Sequence, residues 1–247
     1  MITAYHRPKT LDEALTLLTR PNVVPLGGGT LLAHPTSDSV EVVDLQALSL
    51  DTVKKQGNSL EVGATVTLQQ LLESEHCPEA LKSALKLEAP LNLRNAATVA
   101  GTLVACEGRS TFAAVLLALD AKIDIRSSKD DSQVSNIGDF LPVRPRGLIT
   151  SITIPLNVKL AFDYVSRTPA DKPIVCAVLA QWNSGRTRLA LGGYGKSPLL
   201  AMDGTEAEGV ETAARNAFHG ATDEWASAGY RMDVAATLAK RCLENIQ

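Results

Sequence analysis

Three consecutive glycines, Gly27-Gly28-Gly29, follow the apolar run Val23-Val24-Pro25-Leu26 directly and end at Thr30. Without Cβ atoms, such a stretch takes positive φ values and admits another group close to the backbone. Successive N–H groups then turn into one concavity, a nest suited to phosphate oxygens, to which the Thr30 hydroxyl adds a donor. The same glycines also satisfy a plain tight turn. No Lys-Ser/Thr pair follows, which excludes a P-loop, and the spacing is not GxGxxG.

Around this loop the chain reads as a small β/α unit. Thr10-Leu11-Asp12-Glu13 has the form of a capping box and opens a helix burying Leu11, Ala14, Leu15, Leu17 and Leu18. Glu41–Leu45 is predicted as a strand. A second unit follows the turn Gln56-Gly57-Asn58, with strand Ser59–Gly63 and a helix capped at Thr67-Leu68-Gln69-Gln70. Pro78 suits the first turn of a third helix ending near Leu87. Ser110 or Thr111 caps an apolar helix, Phe112 to Leu119, before strand Ala121–Ile125. Leu148–Ile154 alternates as a strand and stops at Pro155.

The remainder is patterned differently. Ala161–Arg167, Val175–Trp182 and Arg186–Tyr194 read as three strands, with a hairpin signal at Asn183-Ser184-Gly185. Helices are expected over about 206–218 and 232–246. Strands followed by helices imply an antiparallel sheet with helices on one side. The fold class is therefore α+β, with divisions at 1–55, 56–156 and 157–247.

A second stretch of small residues, Ala97-Thr98-Val99-Ala100-Gly101-Thr102, reads as a loop with two hydroxyl donors. A diphosphate needs two sets of donors, and this loop and the glycine loop are placed to face one from both sides. A structural turn is the other reading of this stretch taken singly.

Composition excludes several classes. Net charge is −3 with a pI near 5.8, and no Lys/Arg cluster marks a nucleic-acid surface. Aromatic residues are 4% of the chain, too few for a base-stacking platform. No run has the length of a membrane span, and the N-terminus lacks the apolar core of a signal peptide. Cys77, Cys106, Cys176 and Cys242 fit no metal or cluster spacing and read as buried, reduced thiols of a cytoplasmic protein. His6, His76 and His219 are isolated. His34 reads either as a surface residue or as a neighbour of a bound ring. No nucleophile elbow is present, and no catalytic acid or base is assigned.

Five segments in order resemble the FAD-binding medium subunits of molybdenum hydroxylases, the group of xanthine dehydrogenase and carbon monoxide dehydrogenase. They are Leu26–Leu32, Arg94–Leu103, Leu116–Ala121, Leu189–Tyr194, and Tyr230-Arg231 leading into Leu238–Arg241. The resemblance implies a two-subdomain FAD-binding fold of the vanillyl-alcohol-oxidase/PCMH type. A C-terminal α+β domain with a three-stranded antiparallel sheet would follow it. It implies FAD contacts from Leu26, Gly27, Gly28, Gly29, Thr30 and Leu31, and from Thr98, Gly101 and Thr102. Leu148 and Ile149 stand where the family contacts the flavin or adenine portion.

By the same resemblance, a partner with two [2Fe–2S] clusters passes electrons to FAD, and a large partner holds the molybdenum cofactor. NAD⁺, a quinone or O₂ would be the terminal acceptor. A scaffold subunit that has lost FAD and a stand-alone flavin reductase are the alternative readings.

The chain departs from the family at three places. Ala100-Gly101-Thr102 stands for Gly-Gly-Asn, and Thr111 takes the place of an Asp that helps fix the cofactor. Near the flavin, where a basic residue is common, stand Asp163 and Tyr164, with Arg167 the nearest cation. Glu107 is a substitute for the missing Asp only if its loop is rearranged. Tyr164 suits either a flavin face or the core.

Overall fold

A computed structural model describes residues 1–33, 39–129 and 131–246, and the described strands form three sheets. The first contains β1 (Ile2–His6), β2 (Val23–Leu26) and β3 (Val40–Asp44), with helix α1 (Leu11–Leu18) between β1 and β2. All pairs are parallel, in the order β1-β3-β2. Strand β1 escapes sequence reading because its residues are largely exposed and it is held by backbone pairing to β3. The Thr10 hydroxyl accepts from the Glu13 amide, but the Glu13 carboxylate takes the Lys9 amide, so only half of the capping box forms.

The second sheet is antiparallel, in the order β4-β5-β8-β6-β7. Its strands are β4 (Val53–Gln56), β5 (Ser59–Gly63), β6 (Lys122–Arg126), β7 (Ser132–Asn136) and β8 (Leu148–Pro155). Between β5 and β6 run α2 (Leu68–Glu73), α3 (Glu79–Glu88), α4 (Leu91–Arg94), α5 (Val99–Ala105) and α6 (Thr111–Ala118). Helix α7 (Ile137–Val143) precedes β8. Thr67 and Gln70 complete the capping box of α2 as expected, and Ser110 rather than Thr111 caps α6. Every residue of α6 is buried.

The third sheet explains that burial. Its strands β9 (Val158–Val165), β10 (Val175–Trp182), β11 (Thr187–Gly192) and β12 (Leu199–Gly204) are antiparallel, in the order β12-β11-β10-β9. One face packs Val175, Ala177, Leu179, Leu189 and Leu191 against α8 (Val210–Ala217) and α9 (Ala228–Ile246). The other turns Cys176, Val178, Ala180 and Ala190 into the core around α6. A helix covered on all sides loses its polar stripe, as α6 has. The sheet thus has four strands where three were expected. Strand β12 was missed because Leu-Leu-Ala-Met-Asp-Gly lacks alternation, and its pairing with β11 carries a register shift. Helices also cover both faces rather than one.

Candidate functional site

The glycine loop opens on a cleft of about 1110 Å³. Three segments line it: residues 27–33, residues 86–90 with Leu93, and the inner side of α5 from Thr98 to Cys106. Pro169, Ala170 and Lys172, from the connection between β9 and β10, also reach it. Its volume is just above the roughly 300–1,000 Å³ usual for small-molecule sites, and its lining is mostly apolar.

Gly27 and Gly28 are glycines because the two small-residue segments touch each other. A Cβ on Gly27 would lie 2.9 Å from Thr98 Oγ1, and one on Gly28 would lie 1.6 Å from the Ala96 carbonyl oxygen. Gly29 alone of the three has a positive φ, at +71°. The two segments therefore touch each other, and both line the one cleft.

The second segment is also a helix start rather than a loop. Thr98 caps α5 by accepting from the Gly101 amide. The amides of Val99, Ala100 and Thr102 are taken by Val66, Ala64 and Thr98 carbonyls, and the Thr102 hydroxyl donates to Thr98. That leaves the Thr98 amide and hydroxyl proton as the donors of this segment not taken by described residues. By contrast, the amides of Gly28, Gly29 and Thr30 donate to no described residue. The free donors of the cleft are concentrated on the first loop.

Charged side chains in the lining are Lys86, Glu88 and Lys172. Glu88 is buried, although it ends the stripe Leu81-Ala84-Leu85-Glu88 of α3. A carboxylate on an apolar helical stripe is a sequence signal that would have found it. Its Oε2 accepts from Ser110 Oγ at 2.9 Å, Thr111 Oγ1 at 3.2 Å and the Phe112 amide at 2.9 Å. Lys172 Nζ lies 3.7 Å from Glu88 Oε1 and 3.5 Å from Glu107 Oε1. Lys172 lies far from the lining helices in sequence, and nothing local marks it.

The walls are fixed from outside. Arg109 donates to the carbonyls of Pro173 and Lys172, holding the β9–β10 connection. Arg144 donates to the carbonyls of Val104, Cys106 and Lys196, closing the end of α5. Arg94 binds Gln69 and the Lys86 and Ala89 carbonyls, fixing the turn from α3 into α4. Cys106 reaches the cleft as a thiol pushed up to about 11, by burial above all.

The other sequence candidates lie elsewhere. Leu26 pairs with Asp44 in β2 and leads into the cleft without lining it. Thr111 is fully buried, donating to Ala84 and Glu88. Leu148 packs in the cluster around α1, and Ile149 in the core around α6, so neither side chain lines the cleft. Strand alternation sends these neighbours to opposite faces, each already filled. Arg167 is drawn to Trp225, its guanidinium 4.4 Å from the ring centroid and that of Arg109 at 4.3 Å.

Asp163 faces α9, with Arg241 at 3.7 Å, while Tyr164 stacks on Phe162 against the α6 core. His34 lies outside the described residues. His6 pairs with Glu41 and His76 with Glu75, and no cluster suited to a metal occurs among the described residues. All four cysteines are buried and free. No helix among the described residues is long and apolar enough to cross a membrane.

Comparison with known proteins places this geometry in a family. The model of the family described as "FAD binding domain in molybdopterin dehydrogenase" matches residues 1–157. "Uncharacterized protein YgfM" of Escherichia coli (strain K12) is 30% identical, covering 96% of this chain and 94% of its own. The glyceraldehyde dehydrogenase medium chain of Sulfolobus acidocaldarius is 26% identical over 81% of this chain and 78% of its own. A chain in the crystal structure of the Cu,Mo-CO dehydrogenase superposes with a TM-score of 0.83 at 22% identity. It covers 100% of this chain and 98% of its own, a likeness of fold.

Proposed function

Because the chain belongs to the family of FAD-binding domains of molybdopterin dehydrogenases, we propose that its cleft binds FAD, with the diphosphate on the glycine loop. The observation that carries this reading is the set of three adjacent amides, Gly28, Gly29 and Thr30, that donate to no described residue. Backbone amides left without acceptors cost stability unless water or a ligand meets them, and an anion meets several at once. Lys86 and Lys172 add positive charge to the lining, and the Thr98 hydroxyl adds a donor. Leu31, Leu93 and Val104 supply apolar surface for a ring system.

When bound, FAD supplies the redox chemistry, taking up and releasing electrons at its ring. The chain contributes binding, orientation and exclusion of water. In this reading it is one subunit of a larger oxidoreductase. It receives electrons from the [2Fe–2S] clusters of a small partner, whose large companion holds the molybdenum cofactor. The names of the relatives, medium chains of dehydrogenases, support that role. Residues 1–55 and 56–156 would serve as the two FAD-binding subdomains and 157–247 as the C-terminal domain.

The test is reconstitution of purified chain with FAD, followed by an absorption spectrum and a cofactor count. One FAD per chain, with a visible band near about 450 nm, is expected. A chain that stays colourless at saturating FAD overturns the reading in favour of an FAD-free scaffold.

A further inference from the structure

Glu88 lines the cleft with a carboxylate that has one oxygen held by three donors and the other paired, among the described residues, only with a lysine. Its Oε2 is held by three donors at the N-terminus of α6: the Ser110 and Thr111 hydroxyls and the Phe112 amide. These fix the side chain, which is only 7% exposed. Its Oε1 takes no hydrogen bond from the described residues and forms one ion pair, with Lys172 Nζ at 3.7 Å, beyond hydrogen-bond distance. Lys172 is also shared with the exposed Glu107.

The glycine loop, α5 and Glu88 line one cleft: at the start of α5 Thr98 touches Gly27, and Cys106 just past its end lines the cleft together with Glu88. Seven helical residues span about 10 Å. A carboxylate repels phosphate oxygens, so it does not hold the diphosphate. It accepts hydrogen bonds, and the diphosphate of a flavin dinucleotide is flanked by the ribityl hydroxyls on one side and the adenosine ribose hydroxyls on the other, the ribityl chain offering the longer run of donors.

We propose that Glu88 Oε1 accepts hydrogen bonds from the ribityl hydroxyls of FAD and makes the site selective for a polyol-linked flavin. This rests on the cleft being the FAD site. In this role Glu88 acts by position as well as charge, since Ser110, Thr111 and Phe112 aim it. The fold thus delivers from α3 a carboxylate that Thr111 does not carry itself.

Fluorescence titration of the intact chain decides it, with two probes. One is FAD, and the other an analogue in which a plain pentamethylene chain replaces the ribityl group. Wild type is expected to bind FAD about 10- to 100-fold more tightly than the analogue, as for hydrogen bonds to a charged group. Glu88→Gln should lose most of that preference while analogue affinity stays within a few-fold.

Equal binding of both probes by wild type overturns the proposal, and needs no variant to fold. So does a Glu88→Gln protein that is folded by circular dichroism and keeps the full preference. An equal loss for both probes also overturns it, by placing Glu88 against the ring or the phosphates. Wild type that binds neither probe refutes the FAD reading itself, a separate result.

Discussion

The Ala96 carbonyl oxygen occupies the space where a side chain on Gly28 would begin, 1.6 Å from the position of its Cβ. The carbonyl carbon would lie at 2.5 Å, so the obstacle is backbone, which cannot swing aside as a side chain can. Gly28→Ala should therefore separate the glycine loop from the start of α5. A destabilisation of about 3 kcal/mol or more is expected, at or above the usual range for overpacking. Flavin uptake should fall with it. Gly29→Ala is the contrast: its Cβ would meet only the Leu26 side chain at an ordinary 3.5 Å, but φ is +71°, so the cost is strain of roughly 1–2 kcal/mol. Thermal unfolding of the two variants, with bound flavin counted, separates steric contact from backbone conformation.

Thr111 and Glu88 form a coupled pair inside the protein. Thr111→Val removes a hydroxyl that donates to both Glu88 and the Ala84 carbonyl, and should cost about 1–2 kcal/mol. Thr111→Asp should do more harm. It sets a second buried carboxylate against Glu88, and about 3 kcal/mol is expected from an uncompensated buried charge. Much of that loss should disappear in the Thr111→Asp, Glu88→Gln double variant. Denaturant unfolding of the four proteins gives the coupling directly; additive losses would show that the two side chains do not interact.

The four thiols make stability fall at alkaline pH. Burial pushes Cys77, Cys176 and Cys242 up to about 12 and Cys106 up to about 11, from an ordinary value of 9.0. The folded state favours the neutral thiol, so this contribution is complete below pH 9. It declines as pH rises toward 11–12, because the unfolded chain ionises first. Each thiol contributes a slope of up to about 1.4 kcal/mol per pH unit in that window. Unfolding midpoints from pH 8 to 10 should drop, and more shallowly in Cys176→Ala. At pH 8 a thiol reagent should label the native chain slowly, with Cys106 first and protected by FAD.

What could be read from sequence was what is local. The Thr67–Gln70 cap and the hairpin at 183–185 each depend on a few adjacent residues and formed as expected, whereas in the glycine loop only Gly29 takes the positive φ expected and Gly27 and Gly28 answer to distant neighbours. Strands β1, β4, β7 and β12 escape sequence reading because partner strands hold them rather than any pattern of their own. The small residues at 97–102 suggested an open loop, whereas α5 uses nearly all their donors internally. Glu88 and Lys172 meet across eighty-four positions of sequence, a distance over which periodicity says nothing. Arg231, recognised only as part of a motif, is fully buried and ties Asp223 to the carbonyls of Ala221, Ala226 and Gly193. No pattern within α9 announces that role.

Asp163 and Lys172 give opposite expectations for an anionic cofactor, although both sit near β9 or just after it. The alternation of β9 turns Asp163 to the α9 side, where its Oδ1 accepts from the Tyr164 amide and Arg241 lies 3.7 Å from Oδ2. It is absent from the cleft lining, so Asp163→Ala should leave FAD affinity within about two-fold, on the scale of surface changes of under 0.5 kcal/mol. Lys172 lines the cleft, and removing its charge removes attraction for the diphosphate and the cation ion-paired with Glu88. Lys172→Met should weaken FAD about 3- to 10-fold, the size of a partly exposed charge interaction. Because that lysine is half-exposed, the loss should shrink between low salt and about 0.5 M salt as screening takes over. Titration of both variants at the two salt concentrations checks the assignment. An Asp163→Ala protein that binds FAD markedly more tightly would put this carboxylate on the cofactor side of the sheet after all.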